Sequence, residues 1–315
     1  MKLVLGIDAG GTSTDAVVCT TDGAVVGVGS AGPGNWEEIG VEGAISAIVA
    51  AIAAAGTEPR ALHAAGLALA GVDFPGDAEL LDPALQSVGL PRRRLIVNDA
   101  FAALRAGSPD GVGVVSCAGT GCVSAGRAAD GRTFRTLAIG YGEAGGSYEL
   151  AREAVHAMAR FYHGTGPATT LTELVPEALG MRDANVLFRA ISRDDYVPVP
   201  SLARTVLDAA MAGDEVARQI AATAGTGLAS AADGVAARLS MAEPFTVVRS
   251  GGVHRAGCRA LDDAFAAEIA ARLPSCPLHL LTTLPAAGAA LLALDRLGRV
   301  DGAVRERLLA EAAAR

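Results

Sequence analysis

A single lysine, Lys2, occurs among the 315 residues of this sequence. Its scarcity excludes the phosphate loop that ends in Gly-Lys and the strand lysine of protein kinases, so phosphate chemistry here has to rest on backbone amides, hydroxyls, arginine and metal. Five cysteines (Cys19, Cys117, Cys122, Cys258, Cys276) contain no Cys-x-x-Cys pair, the pattern of reduced thiols in a cytoplasmic protein. The five histidines (His63, His156, His163, His254, His279) offer neither a metal-ligand spacing nor a triad. Apolar runs are interrupted by Gly, Pro or charge well before the roughly 18 residues of a spanning helix, and the opening residues form a strand-like run in place of a leader pattern. The expectation is a cytoplasmic protein without a membrane span. Basic residues gather only in the short run Arg92–Arg94 of a chain whose net charge is −8, which argues against a nucleic-acid partner.

What the chain has in quantity is apolar residues, 51% against 19% charged, so a compact core is expected, and the length suits two lobes. The opening reads as a strand (Lys2–Asp8), a Gly-rich turn (Ala9–Thr12), a strand (Ser13–Thr21), a tight turn at Asp22-Gly23 and a third strand (Ala24–Ser30). The plan restarts about a hundred residues on with Gly111–Cys117, the Gly turn Ala118–Gly121, Cys122–Ala128 and the turn at Asp130-Gly131. Two such units predict two related lobes, each presenting a phosphate-cradling hairpin to a shared cleft. Between them lie a helix over Val41–Ala55, a buried strand at Leu62–Ala70, a helix at Asp77–Val88 and a short strand, Leu95–Val97, with Ala100–Ala106 helical after it. Beyond them the periodicity predicts helices over Tyr148–Arg160, Leu171–Leu179 and Ser201–Leu239, a strand at Phe245–Val248, and closing helices at Pro285–Leu297 and Val304–Arg315.

Four segments carry the candidate chemistry. In Asp8-Ala9-Gly10-Gly11-Thr12-Ser13-Thr14, adjacent glycines after a strand let the backbone approach a phosphate, amides and hydroxyls cradle its oxygens, and Asp8 is placed to hold magnesium through water. A plain hairpin that needs Gly is the competing reading, and the repeated plan weighs against it. Gly119-Thr120-Gly121 is the second cradle. Asp99, after Asn98 at a strand's end, is the candidate general base toward a substrate hydroxyl, with a helix cap as its alternative. Ser250-Gly251-Gly252-Val253 either lets an adenine or ribose lie flat on Gly251 and Gly252 or is a plain strand-to-helix turn. Asn35, Gly71 and Asp73 stand in loops that can line a substrate pocket, although Asp73 equally suits a helix cap, and Trp36 suits either a stacking surface or the core. Cys117 and Cys122 flank the second loop and are candidates for oxidation sensitivity.

In order and spacing, Asp8–Thr14, Asn98-Asp99, Gly119–Gly121 and Ser250–Val253 resemble the actin-like ATPase superfamily, most closely the branch holding the N-acetylglucosamine kinases and the BadF/BadG/BcrA/BcrD ATPases. Gly34-Asn35, Ala70–Asp73 and the stretch from Ala154 to Thr169 also look like that branch. The resemblance implies an α/β, two-lobed actin-like ATPase fold with ribonuclease H-like lobes (1–105 and 106–315, the last helices from about 285 free to pack back on the first lobe). It implies ATP and Mg²⁺ in the cleft, and in many members a homodimer. Asp99 becomes the base toward a sugar 6-hydroxyl, with Asn35, Gly71, Asp73 and Asn98 among the sugar contacts. The kinases carry Gly-Asp-Glu-Gly where this chain has Gly142-Glu143-Ala144-Gly145, and a hydroxyl residue where it has Cys122; Glu143 and Cys122 are therefore placed at the substrate with altered chemistry. The implied activity is phosphorylation of an amino sugar, N-acetylglucosamine first, with glucosamine, N-acetylmuramic acid or a hexose as alternatives. An ATPase activator of a 2-hydroxyacyl-CoA dehydratase is the competing enzyme, weakened by the lack of paired cysteines for an iron–sulfur cluster. A non-catalytic sugar-binding regulator is a third reading, against which Asp99 stands.

Overall fold

The computed structural model describes residues 2–315. Two five-stranded mixed sheets organise it, and their strand orders are the same. The first comprises β1 (Leu3–Ala9), β2 (Thr14–Thr20), β3 (Val25–Ala31), β4 (Leu62–Leu69) and β5 (Arg94–Val97) in the order β3-β2-β1-β4-β5. The second comprises β6 (Gly113–Ala118), β7 (Cys122–Arg127), β8 (Thr133–Arg135), β9 (Thr246–Ser250) and β10 (Leu278–Leu280), ordered β8-β7-β6-β9-β10. In each sheet the first three strands form an antiparallel meander and the other two lie parallel to its first strand. This is the two-lobed actin-like fold of sugar kinases.

Period-two alternation along β1 sets what each face meets. Leu5, Ile7 and Ala9 join a core with α1 (Trp36–Ala54) and α2 (Asp77–Ser87), whereas Val4 packs in another with α10 (Pro285–Arg296) and α11 (Gly302–Ala313). Asp8, two residues beyond Gly6, takes its orientation from this second face. Helix α10 lies backbone to backbone on the sheet: a Cβ at Gly6 would stand 2.0 Å from the Ala286 carbonyl oxygen, and one at Gly66 1.9 Å from that of Ala289. Helix α3 (Asp99–Gly107) is wedged between the sheets, with Ala102 against Ala68 and Ala289 on one side and Ala103 and Leu104 against Val115 and Val248 on the other.

The helices α4 (Ser147–Tyr162), α5 (Leu171–Ala178), α6 (Ala184–Ile191), α7 (Leu202–Met211) and α8 (Glu215–Arg238), with α9 (Arg259–Arg272), cover the second sheet around Leu150, Val206, Leu228 and Phe265. The sequence reading missed β8, α6, α9 and β10. The two strands have three residues each, too few for an alternating pattern, and the buried row of α9 is a single line, Leu261, Phe265 and Ile269. The helix expected over Ser201–Leu239 is two, separated where Gly213 takes φ 101° and Asp214 caps α8 by accepting from the Ala217 amide. Conversely, α1 starts earlier than expected, because Asn35 caps it by accepting from the Glu37 amide; Gly40 (φ 75°, ψ 164°) breaks it after one turn. No helix among the described residues is long and apolar enough to cross a membrane.

Candidate active site

The strands of both sheets deliver their loops to one cleft of about 680 Å³. From the first sheet come Asp8 and the turn Gly10–Ser13, Asn35 with Glu37 and Glu38 from the start of α1, Ala70, Gly71 and Asp73 after β4, and Asn98 and Asp99 after β5. Opposite them stand Gly119–Cys122, Glu143, Tyr148, Glu149, Gly251, Gly252 and Arg255. Every residue named from the sequence for phosphate, magnesium, proton transfer or substrate, except Thr14 and Trp36, lines this space.

Each hairpin tip is braced by its own lobe. The Gly10 carbonyl accepts from the amides of Gly34 and Asn35, and the Gly119 and Thr120 carbonyls accept from Ser147 and Tyr148 at the start of α4. The tips approach one another: a Cβ on Gly11 would lie 3.8 Å from Thr120 Oγ1. Among the described residues the hydroxyls of Thr12 and Thr120 have no side-chain hydrogen bond, whereas Ser13 donates to Asp15 at 3.2 Å. Thr14 is a correction to the sequence reading: it is wholly buried and its hydroxyl donates to the Gly32 carbonyl at 2.9 Å, so it ties β2 to the chain after β3 and is turned away from any phosphate.

Asp99 is the first residue of α3, and the cap is Asn98, whose Oδ1 accepts from the Ala100 amide at 3.1 Å. Asn98 Nδ2 donates to Asp73 Oδ1 at 2.9 Å, so its amide fixes Asp73 at one end and the helix at the other. Asp99 is left facing the cleft. Burial, then the charge of Asp73, push its carboxyl up to about 6, against the Ala100 amide and Arg135, which pull it down. Asp8 is raised well above the usual carboxylate range by burial and then by Asp99 and Asp15, with Arg255 opposing. The acidic lining is thus held at a repulsion that a cation would relieve.

Several residues that sequence reasoning missed matter here. Arg135, in the three-residue β8, reaches across the cleft to Asp73, donating to its carbonyl at 2.7 Å and pairing with its carboxylate at 3.1 Å. Asp73 is not the cap of α2, which is Gly76; it joins the two sheets beside Asp99 and remains in the cleft lining. Nothing in a short charged strand signals this contact. Arg255 lies just past the Gly pair, where the shortage of lysine could have drawn attention to it. Glu149 Oε2 is buried in the lining without a hydrogen-bond partner. Glu143 turns back on its own loop, accepting from the amides of Ile139 and Gly140 at 3.2 and 2.8 Å. Trp36 packs against the core of the first lobe, with Gly71 close on its indole nitrogen.

The cysteines flanking the second loop are not thiolates. Burial, then the charges of Asp99 and Asp8, raise Cys117 far above its ordinary value, and burial followed by Glu149 pushes Cys122 up to about 12. Such neutral thiols are poor nucleophiles, which weighs against the expectation of oxidation sensitivity. Gly251 takes φ 99° and a Cβ there would sit 2.2 Å from the Ala118 carbonyl oxygen, so the backbone after β9 presses directly on the base of the second hairpin.

No group of three or more His, Cys, Asp or Glu among the described residues is placed to enclose a metal ion. Magnesium does not require one, since it commonly binds through one or two carboxylates, waters and substrate phosphates. Asp8, buried and crowded by Asp15 and Asp99, fits that pattern.

Comparison with known proteins follows the same lines. The model of the BadF/BadG/BcrA/BcrD ATPase family matches residues 5–293. An N-acetylmuramic acid/N-acetylglucosamine kinase of Clostridium acetobutylicum is 27% identical over 260 residues, 80% of this chain and 85% of that protein. An N-acetyl-D-glucosamine kinase of Dictyostelium discoideum is 26% identical over 315 residues, 93% of this chain and 98% of that one. Among solved structures, one from Chromobacterium violaceum assigned as an N-acetylglucosamine kinase superposes with a TM-score of 0.73 at 22% identity, covering 93% of this chain and 99% of that one. A ROK family glucokinase from Streptomyces griseus, in complex with glucose and AMPPNP, gives 0.59 at 20% identity, covering 93% and 98%.

Proposed function

Since the chain belongs to the BadF/BadG/BcrA/BcrD ATPase family, we propose that it is a kinase that transfers the γ-phosphoryl group of ATP to an amino sugar, N-acetylglucosamine at its 6-hydroxyl being the best fit. One observation carries the reading. Asp99 stands at the end of β5 between two glycine hairpins, with its carboxyl poised at about 6 and facing the cleft. A base so tuned is ionised at neutral pH and accepts the hydroxyl proton as the oxygen attacks phosphorus.

The other roles follow from placement. Amides of Gly11 and Gly121, with the hydroxyls of Thr12, Ser13 and Thr120, receive the phosphates, while the Gly10 and Gly119 amides hold the turns by donating to the Ser13 and Gly121 carbonyls; Gly251 and Gly252 leave room for the nucleoside; Arg255 supplies the cation that lysine does not. Asp8 holds Mg²⁺ directly or through water, and the ion, when bound, screens the phosphate charges against an otherwise acidic cleft. Asn35, Gly71, Glu143 and Cys122 line the sugar side, with Asn98 and Asp73 fixing the frame around Asp99. The lobes divide near residues 105 and 106, and the protein works as a cytoplasmic homodimer, which light scattering can check.

ADP release from Mg-ATP, followed against amino sugars, anhydro-sugars and hexoses with a sugar-free control, tests the proposal. Sugar-dependent release supports it and ranks the substrates. Hydrolysis that ignores sugar replaces it with an ATPase, and no release with any sugar removes it.

A further inference from the structure

A second cavity, of about 550 Å³, opens at the opposite end of the first sheet. Its walls come from the starts of β1, β4 and β5 and the end of α10, elements whose other ends enter the catalytic cleft. Seven residues of β1 separate the two sites, about 20 Å at roughly 3.3 Å per residue.

The lining is basic. Lys2, Arg92, Arg93, Arg296 and Arg299 are exposed there beside His63, and no acidic residue joins them. Arg94 is the exception, because Asp82 holds it at 2.7 Å. Among the described residues none of the other four arginine and lysine side chains beside Arg93 forms an ion pair, and neither does Arg93, although paired arginines are common elsewhere in the chain. Arg93 donates instead to His63 Nε2 at 3.0 Å, which makes the imidazole a neutral acceptor that orients the guanidinium. Five like charges gathered without counter-ions, in a chain of net charge −8, are unfavourable unless an anion neutralises them.

We propose that this cavity is an anion site for a small phosphorylated molecule with two or more adjacent negative charges, separate from the nucleotide cleft. Guanidinium groups converging from separate elements suit phosphate oxygens. The volume falls within the about 300–1,000 Å³ of small-ligand sites. A long nucleic acid is disfavoured, because the remainder of an acidic chain repels it.

Inorganic tripolyphosphate, titrated calorimetrically at about 0.15 M salt without divalent metal, is the probe, since the acidic cleft repels it under those conditions. The wild type is expected to bind one equivalent. Arg93→Ser/Arg296→Ser should weaken that binding at least about tenfold, with thermal melting and sugar-dependent ADP release unchanged, and Arg92→Ser/Arg299→Ser should do the same. Absence of binding in the wild type, or wild-type affinity in either double variant, overturns the proposal. So does a short duplex DNA that displaces tripolyphosphate and shows the same sensitivity to the substitutions, which would make the surface a nucleic-acid face. The binding measurement requires no turnover, so its result is independent of the kinase reading.

Discussion

The two hairpins sit at matching places in matching sheets, yet they end differently. In β1 the pairing with β2 closes at Ala9 and Thr14, and in β6 the pairing with β7 closes at Ala118 and Cys122. Asp8 in one lobe therefore corresponds to Cys117 in the other. The first places a carboxylate beside Asp15 and Asp99; the second places a thiol that burial and those carboxylates keep neutral. The repeated backbone brings a glycine hairpin to the cleft from both sides, while the two carboxylates proposed to handle cation and proton, Asp8 and Asp99, both belong to the first lobe. The lesson is that two hairpins of the same geometry differ in the residue just before the glycines, a carboxylate in one lobe and a thiol in the other.

The strongest way to break this comparison is Asp99→Asn. Turnover should fall about 10²–10⁴-fold with ATP and sugar affinity retained, as coupled ADP release and calorimetry would show. A near-normal rate would take the base out of the first lobe. Next comes the matched pair Asp8→Asn and Cys117→Ser. The first should lower kcat/KM about tenfold to a hundredfold, more so at limiting magnesium, and the second should change it less than about twofold, because no charge is lost. Equal effects would erase the asymmetry.

Smaller changes follow from the proton held at Asp99. Its value of about 6 makes the wild-type kcat rise with pH through that region and then level off. Arg135→Met removes a cation that lowers it, so the acid limb should move upward, by less than about one pH unit; a downward move contradicts the arrangement. Stability gives the mildest test. The folded protein holds this proton more tightly than the unfolded chain, so the contribution is full below the ordinary value of 3.8 and lost as pH rises through about 6. Asp99→Asn should therefore be the more stable protein at pH 8 by roughly 3 kcal/mol, and the advantage should vanish near pH 3 in melting curves.

How much of this was legible beforehand depended on whether a residue's role was local. The hairpins, Asp99 and the repeated meander follow from glycine placement and period-two patterning, which neighbours in sequence determine. Thr14 was misjudged because membership in a motif says nothing about which face of a strand a residue takes; alternation along β2 turned it inward. Arg135 escaped because its importance arises across the cleft, from Asp73, and a three-residue strand has no periodicity to reveal it; Glu149 escaped because its neighbour Cys122 stands on a separate element of the same lobe. Asn98, expected at the substrate, lines the cleft and is also a clamp, a role visible only once both ends of its amide have partners.

The glycines beneath α10 bear on how the lobes can move. A Cβ at Gly288 would lie 1.9 Å from the Ala102 carbonyl oxygen, and Arg105 grips Asp295 through two hydrogen bonds of 2.7 and 3.1 Å. Sheet, α10 and α3 thus meet main chain to main chain, with no rotamers between them to take up sliding. Such a stack is stiff in shear. Across α3, by contrast, Leu104, Val115 and Val248 meet through branched side chains that can slip by small steps. Any relative displacement of the lobes would then fall on that one surface, with Asp99 on the rigid part beside Asp8.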